Sequence, residues 1–188
     1  MYPIVRLLKD AFKAKRMDQL GPLDMHVSHH RCWPWDLDIW MELNNGRTFT
    51  LFDLGRTMLT VRVGLVPVLK NNTWAVAVAG STIRYRRRIF AFEPFEMRSR
   101  AIGWDDKFFY IEQSIWKKNG ECASHALLRT CFTSKKGIVP PTEVVAAWGQ
   151  ADLQSPPLPD WVQAWCDAED KRPWPPMQDS AEQLARAG

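Results

Sequence analysis

No apolar run in this 188-residue sequence approaches the roughly 20 residues that cross a bilayer. The longest, Trp74 to Ala79, suits a buried strand. Met1 to Arg16 lacks the clean apolar stretch and small-residue cleavage site of a secretory leader, because Arg6, Lys9 and Asp10 interrupt it. A soluble, cytoplasmic protein is therefore expected. The four cysteines, Cys32, Cys122, Cys131 and Cys166, form no CxxC pair, so reduced and partly buried thiols are expected. His26, His29, His30 and His125 show no spacing that asks for a metal, which leaves them strand or surface packing roles. There is no internal repeat and no glycine-rich phosphate loop. A strong charge is missing too: net +4 favours a phosphorylated ligand but is too weak to argue for nucleic acid.

What is present is an ordinary globular balance, 46% hydrophobic and 24% charged, in a length suited to one core with terminal additions. Residues 1–20 read as an amphipathic segment, 21–150 as the folded domain, and 151–188 as a Pro- and Trp-rich extension. Ile4, Val5, Leu8, Ala11 and Phe12 share a helical face, with Arg6, Lys9, Lys13, Lys15 and Arg16 around it. The favoured reading is a short helix packing on its own domain. Weak membrane-surface contact through residues 1–16 is the alternative.

Gly21-Pro22 breaks the chain, and Met25 to Trp33 reads as a strand that Pro34 interrupts. From Asn44-Asn45-Gly46 the period becomes helical, running to about Val63, with Gly64 and Pro67 ending the helix. Strands then dominate. Trp74 to Arg88 follows an Asn71-Asn72 turn, and Phe95, Met97, Ser99 and Ala101 alternate with Glu96, Arg98 and Arg100. Gly103 to Asp106 turns into the strand Lys107 to Trp116. Lys117-Lys118-Asn119-Gly120 makes a hairpin with Glu121 to Ser134. Pro141 to Trp148 is a short helix. Beyond Ala151, repeated prolines predict little regular structure, with Trp161, Trp165 and Trp174 lying against the domain or a second subunit. One long helix against an antiparallel sheet, an α+β arrangement, satisfies this order.

The run Asp36-Leu37-Asp38-Ile39-Trp40-Met41-Glu42-Leu43-Asn44-Asn45-Gly46-Arg47, followed by Asp53 and Arg56, resembles the thioesterase-like hotdog superfamily. Members that are 4-hydroxybenzoyl-CoA thioesterase-like carry a D-x-x-x-H-x-N-N-x-x-Y pattern leading into the central helix. Gly80-Ser81, Arg84-Tyr85-Arg86-Arg87, Phe92-Glu93-Pro94-Phe95-Glu96 and Gly103-Trp104-Asp105-Asp106-Lys107 resemble the branch of thioesterase superfamily member six. The likeness covers roughly residues 25–148, most of a usual domain. It implies a hotdog fold, an acyl-CoA substrate with coenzyme A as part of it and no separate cofactor, and a homodimer or dimer of dimers.

Thioester cleavage needs an activated water or nucleophile and donors for the developing oxyanion. Free N–H groups at a helix start supply such donors. By resemblance, Asp38 matches the catalytic aspartate of one hotdog branch, and Asn45 and Gly46 fall where members polarise the carbonyl. Asp53 is a rival carboxylate two turns into the helix; its structural alternative is an ion pair with Arg56. Asp36 reads as a turn residue. Two positions depart from the pattern: Glu42 stands for the histidine and Thr48 for the tyrosine. Glu42 is either a substitute base or a solvated loop carboxylate. Arg84, Arg86 and Arg87, in the densest basic cluster, are candidates to receive coenzyme A phosphates. Their alternative is a solvated strand face, since consecutive residues of a regular strand point opposite ways. Acyl-CoA or lipid binding without turnover is the second functional reading.

Overall fold

The computed structural model describes residues 2–176, which fall into two compact units divided after Pro156. The first unit contains α1 (Ile4–Ala14), β1 (His26–Arg31), α2 (Asn45–Arg62), α3 (Leu65–Asn72), β2 (Ala75–Tyr85), β3 (Pro94–Trp104), β4 (Phe109–Lys117), β5 (Cys122–Ser134), β6 (Gly137–Val139) and α4 (Pro141–Ala147). The second holds α5 (Asp160–Asp170). All pairings are antiparallel, in the order β1-β3-β4-β5-β2, with β6 added to β5. The expected succession of strand, long helix and four more strands is thus present.

The long helix starts where its cap residue says it should. Asn44 is extended, and its side chain accepts the Arg47 N–H at 3.1 Å. Leu51, Phe52 and Leu54 then pack on Phe95, Met97, Ile115 and Leu128 of the sheet. At Gly55 the helix backbone approaches so closely that an added Cβ would sit 2.7 Å from Ser99 Oγ and 3.1 Å from Gln113 Nε2.

Several elements differ from the sequence reading. Gly64 and Pro67 end α2 but do not end helical structure. Gly64 takes φ +78° and redirects the chain into α3, where Pro67 occupies the first turn and needs no N–H. Asn71-Asn72 closes that helix. Leu65 and Leu69 explain why α3 forms, since they pack on the Phe109–Phe132–Val144 cluster. The strand expected to reach Arg88 stops at Tyr85, where Arg86 N and Arg87 N both donate to Ala123 O at 2.8 and 3.1 Å. The supposedly irregular tail contains α5, which begins after Pro159 with Asp160 favourably placed in its first turn, and Trp174 is exposed. Finally, α1 docks on the domain through Leu7 and the buried Ala14, while Ile4, Val5, Leu8 and Phe12 stay exposed. The helix thus packs on its own domain as expected, but through the face opposite the apolar stripe.

Overpacking a tight contact is destabilising. Gly55→Ala is expected to lower unfolding stability by about 1–2 kcal/mol despite alanine's better helix propensity, read by denaturant unfolding. An unchanged or raised midpoint would show that the helix and sheet have slack there.

Burial also lowers the pKa of His26 and His30 in β1 to about 4, with Arg62 and Arg6 respectively adding to the effect. Above pH ~6.5 the folded and unfolded chains both carry these rings neutral. Between that value and pH 4 only the unfolded chain takes up the protons, so acid favours unfolding. Together they are expected to remove roughly 2 kcal/mol of stability by about pH 5.5. Denaturant midpoints at several pH values check this; a flat profile down to pH 5 would contradict it.

Candidate functional site

Helix starts leave N–H groups without intrahelical partners. At the start of α2 the Asn44 side chain takes Arg47 N, while Asn45 N and Gly46 N have no hydrogen-bond partner among the described residues. A cleft of about 240 Å³ opens at Asn45, lined by Glu42, Asn45, Thr48, Arg86, Arg87 and Arg88 among others; Gly46 does not line it. Tyr85, at the end of β2, donates its hydroxyl to Asn45 O at 3.3 Å, and buried Thr48 bonds Asn44 O at 3.2 Å. The position at which the family pattern has histidine is therefore a cleft wall, and Glu42 occupies it.

The arginines divide. Because β2 ends at Tyr85, strand alternation no longer separates Arg86, Arg87 and Arg88, and all three line the cleft. Arg84, still in the strand, is exposed and does not line it. Arg88 Nε lies 2.9 Å from Glu42 Oε2, and Arg87 pairs with Glu121 at 2.7 Å. Among the described residues Arg86 has no ion-pair partner, which leaves its charge available to an anion.

Asp38 closes a tight loop that precedes the helix. Its Oδ1 accepts Trp40 N at 2.8 Å and Glu42 N at 3.4 Å, and its backbone N–H donates to Glu42 O. The carboxylate is partly exposed and one hydrogen bond removed from the Glu42 wall of the cleft. Asp36 is a turn residue, as expected, but its environment was not foreseen. The carboxylate is fully buried, accepting Arg6 Nη2 at 2.5 Å and Trp33 N at 2.9 Å, with Arg47 Nε 3.3 Å away. Sequence could show the Trp33-Pro34-Trp35-Asp36 turn, but not the guanidinium arriving from thirty positions upstream.

Asp53 has a different setting. It pairs with Arg56 at 2.9 Å, as its helical spacing suggested, and accepts the Tyr2 hydroxyl on its other oxygen at 2.6 Å. Burial, reinforced by the bond to Asp53, pushes Tyr2 up to about 12. Arg56 donates onward to Gln113 Oε1 at 2.8 Å, while Gln113 Nε2 donates to Phe52 O and Ser99 Oγ. Burial lowers the Arg56 pKa, with Asp53 opposing the shift. Beyond Asp53 and Arg56 lies a largely apolar cavity of about 380 Å³ between α2, α3 and the sheet, walled by Leu59, Leu69, Phe109 and Phe132. Tyr2 and Gln113 were missed in the sequence. Nothing marks Tyr2, but Gln113 stands in the inward phase between Ile111 and Ile115, where a polar residue is conspicuous.

Residues 32–166 match the model of the thioesterase-like superfamily. Protein THEM6 of Xenopus laevis is 32% identical over 139 residues, covering 73% of this chain and 65% of that protein, so the chain corresponds to less than two thirds of that relative's length. The structure resembles YbaW, a probable thioesterase from Escherichia coli, at TM-score 0.61 and 17% identity over 66% of this chain and 97% of that one. It also resembles hypothetical protein SAV2348 from Staphylococcus aureus, solved in complex with CoA, at TM-score 0.59 and 10% identity over 78% and 96% of the two chains. The fold is the hotdog arrangement of an antiparallel sheet around one central helix, and the chain belongs to the thioesterase-like superfamily.

Proposed function

We propose that the protein hydrolyses acyl-CoA thioesters at the start of α2. The observation that supports this reading is the cleft that brings the helix-start residue Asn45 together with a carboxylate and a cluster of guanidinium groups, with the unbonded Gly46 N–H next along the helix start. Coenzyme A phosphates bind Arg86 and Arg87; Arg84 points the same chemistry elsewhere. The thioester carbonyl faces Asn45 N and Gly46 N, whose donors and helix dipole stabilise the oxyanion. The acyl tail runs along α2 toward the apolar cavity, which begins roughly 12 Å further along the helix. CoA bound to SAV2348 on a similar fold supports the ligand class.

Among the carboxylates Asp38 is the preferred base or nucleophile. It lies on the loop that delivers the helix start, and the two N–H groups on Oδ1 fix its orientation. Asp53 has both oxygens engaged by Tyr2 and Arg56, the arrangement of a structural ion pair. Glu42 spends its charge on Arg88. That pair, standing where the family has histidine, is the one observation favouring the second reading, acyl-CoA binding without turnover. Dimerisation is part of the proposal: β2 has β5 on one side only and presents exposed Val76 and Val78, an edge suited to a second copy.

Thiol release from a panel of acyl-CoAs tests this. Asp38→Asn is expected to cost on the order of 10²-fold or more in kcat, Glu42→Gln less, and Asp53→Asn chiefly stability. Arg86→Ala should raise KM with little change in kcat. Loss with Asp53→Asn alone would reverse the assignment, and CoA binding without thiol release by wild type would favour the binding reading. For the dimer, sedimentation should give twice the chain mass, falling to the monomer in Val78→Lys; a monomeric wild type would exclude it.

A further inference from the structure

Amphipathic helices on a protein surface ordinarily turn their apolar stripe inward. In α1 the stripe faces outward. The inward side is held by Leu7 against the core, buried Ala14, Arg6 on Asp36, and Asp10 with its carboxylate 3.9 Å from His30 Nδ1. Ile4, Val5, Leu8 and Phe12 share the opposite face and are 59%, 81%, 65% and 56% exposed. Lys9, Lys13, Lys15 and Arg16 surround that face, with the Arg16 guanidinium 3.8 Å from the Phe12 ring centre. Asp10 is the only acidic residue among residues 1–16, and it is turned toward the domain. Trp35, stacked on Trp33, is exposed on the same cleft as Tyr2.

We propose that α1 is a docking face for an anionic lipid surface, with Ile4, Val5, Leu8 and Phe12 entering the headgroup–acyl boundary and the surrounding cations meeting lipid phosphates. An apolar stripe bordered by Lys and Arg has the chemistry of an interfacial helix, and indole rings favour the headgroup level. A second copy is the poorer occupant. A two-fold contact sets a patch against itself, which would place these cations against one another. The helix needs no folding transition to bind, because its inward side already holds it on the domain. This inference stands apart from the thioesterase reading and does not depend on turnover.

The full chain is co-sedimented with phosphatidylcholine vesicles containing phosphatidylglycerol and with pure phosphatidylcholine vesicles. Wild type is expected to pellet with the anionic vesicles, less so as salt rises, and weakly with the neutral ones. The Val5→Glu/Leu8→Glu double variant should bind at least about tenfold more weakly, as loss of two inserting apolar side chains requires. Lys9→Glu/Lys13→Glu should lose the preference for anionic vesicles. Both pairs are at the surface, and unchanged thermal unfolding confirms that the fold is intact. No pelleting of wild type, or equal pelleting of wild type and Val5→Glu/Leu8→Glu, overturns the proposal. So does a fall in solution mass of Val5→Glu/Leu8→Glu without vesicles, which would assign the stripe to a second copy.

Discussion

The buried amide of Gln113 fixes where the central helix lies, and the functional geometry follows from that. Its two N–H groups go to Phe52 O on α2 and Ser99 Oγ on β3, and its oxygen receives Arg56. Every polar atom of a fully buried side chain is thus satisfied, the condition under which burying it is stabilising rather than costly. Ser99 and Gln113 are cross-strand partners, so one bond network joins two strands to the helix. Gly55 makes this possible, since any larger residue would hold the helix away from both side chains. With α2 clamped there, its start lies at the Arg86–Arg88 segment that lines the cleft and its second half at the apolar cavity.

A second constraint acts at the helix start. Buried Asp36 draws Arg6 from α1 and Arg47 from the first turn of α2. A lone buried carboxylate would be very unfavourable, and removing one partner of such a set typically costs several kcal/mol. The cluster therefore holds the loop of residues 36–44 in register with α2, also through Asn44 N bonding to Asp36 O. It also seats α1, whose docking side is polar and small enough to leave the apolar stripe outside. Tyr2, just before that helix, then reaches Asp53.

Most of the fold was legible because period and punctuation are local. The capped start at Asn44, the alternation Phe95–Ala101 and the Asn119-Gly120 turn each announce themselves within a few residues. Gly64 and Pro67 misled because both break helices in mid-run, yet a left-handed glycine can also join two helices, and proline is harmless in a first turn. The cleft was legible where motif and helix start coincide, since Glu42 and Asn45 both line it. It was not legible where partners are distant: Arg6 with Asp36, Tyr2 with Asp53, Arg56 with Gln113. The Arg86–Arg88 grouping was hidden for another reason, since alternation holds only while a strand lasts, and the double bond to Ala123 O ends it.

Four carboxylates close to the helix start and the cavity have different capacities, set by how many of their lone pairs are in use. Asp36 is buried between two guanidinium groups and an N–H, so it has no access to a substrate. Asp53 is held on one oxygen by a guanidinium and on the other by a phenol. Glu42 reaches the cleft but is neutralised by Arg88 at the mouth. Asp38 accepts only backbone N–H groups, both on Oδ1, bonds that orient a carboxylate without adding a counter-charge. A general base needs orientation together with an oxygen not already committed to a cation. By that criterion Asp38 is the one we propose among the four, its only hydrogen bonds being from backbone N–H groups.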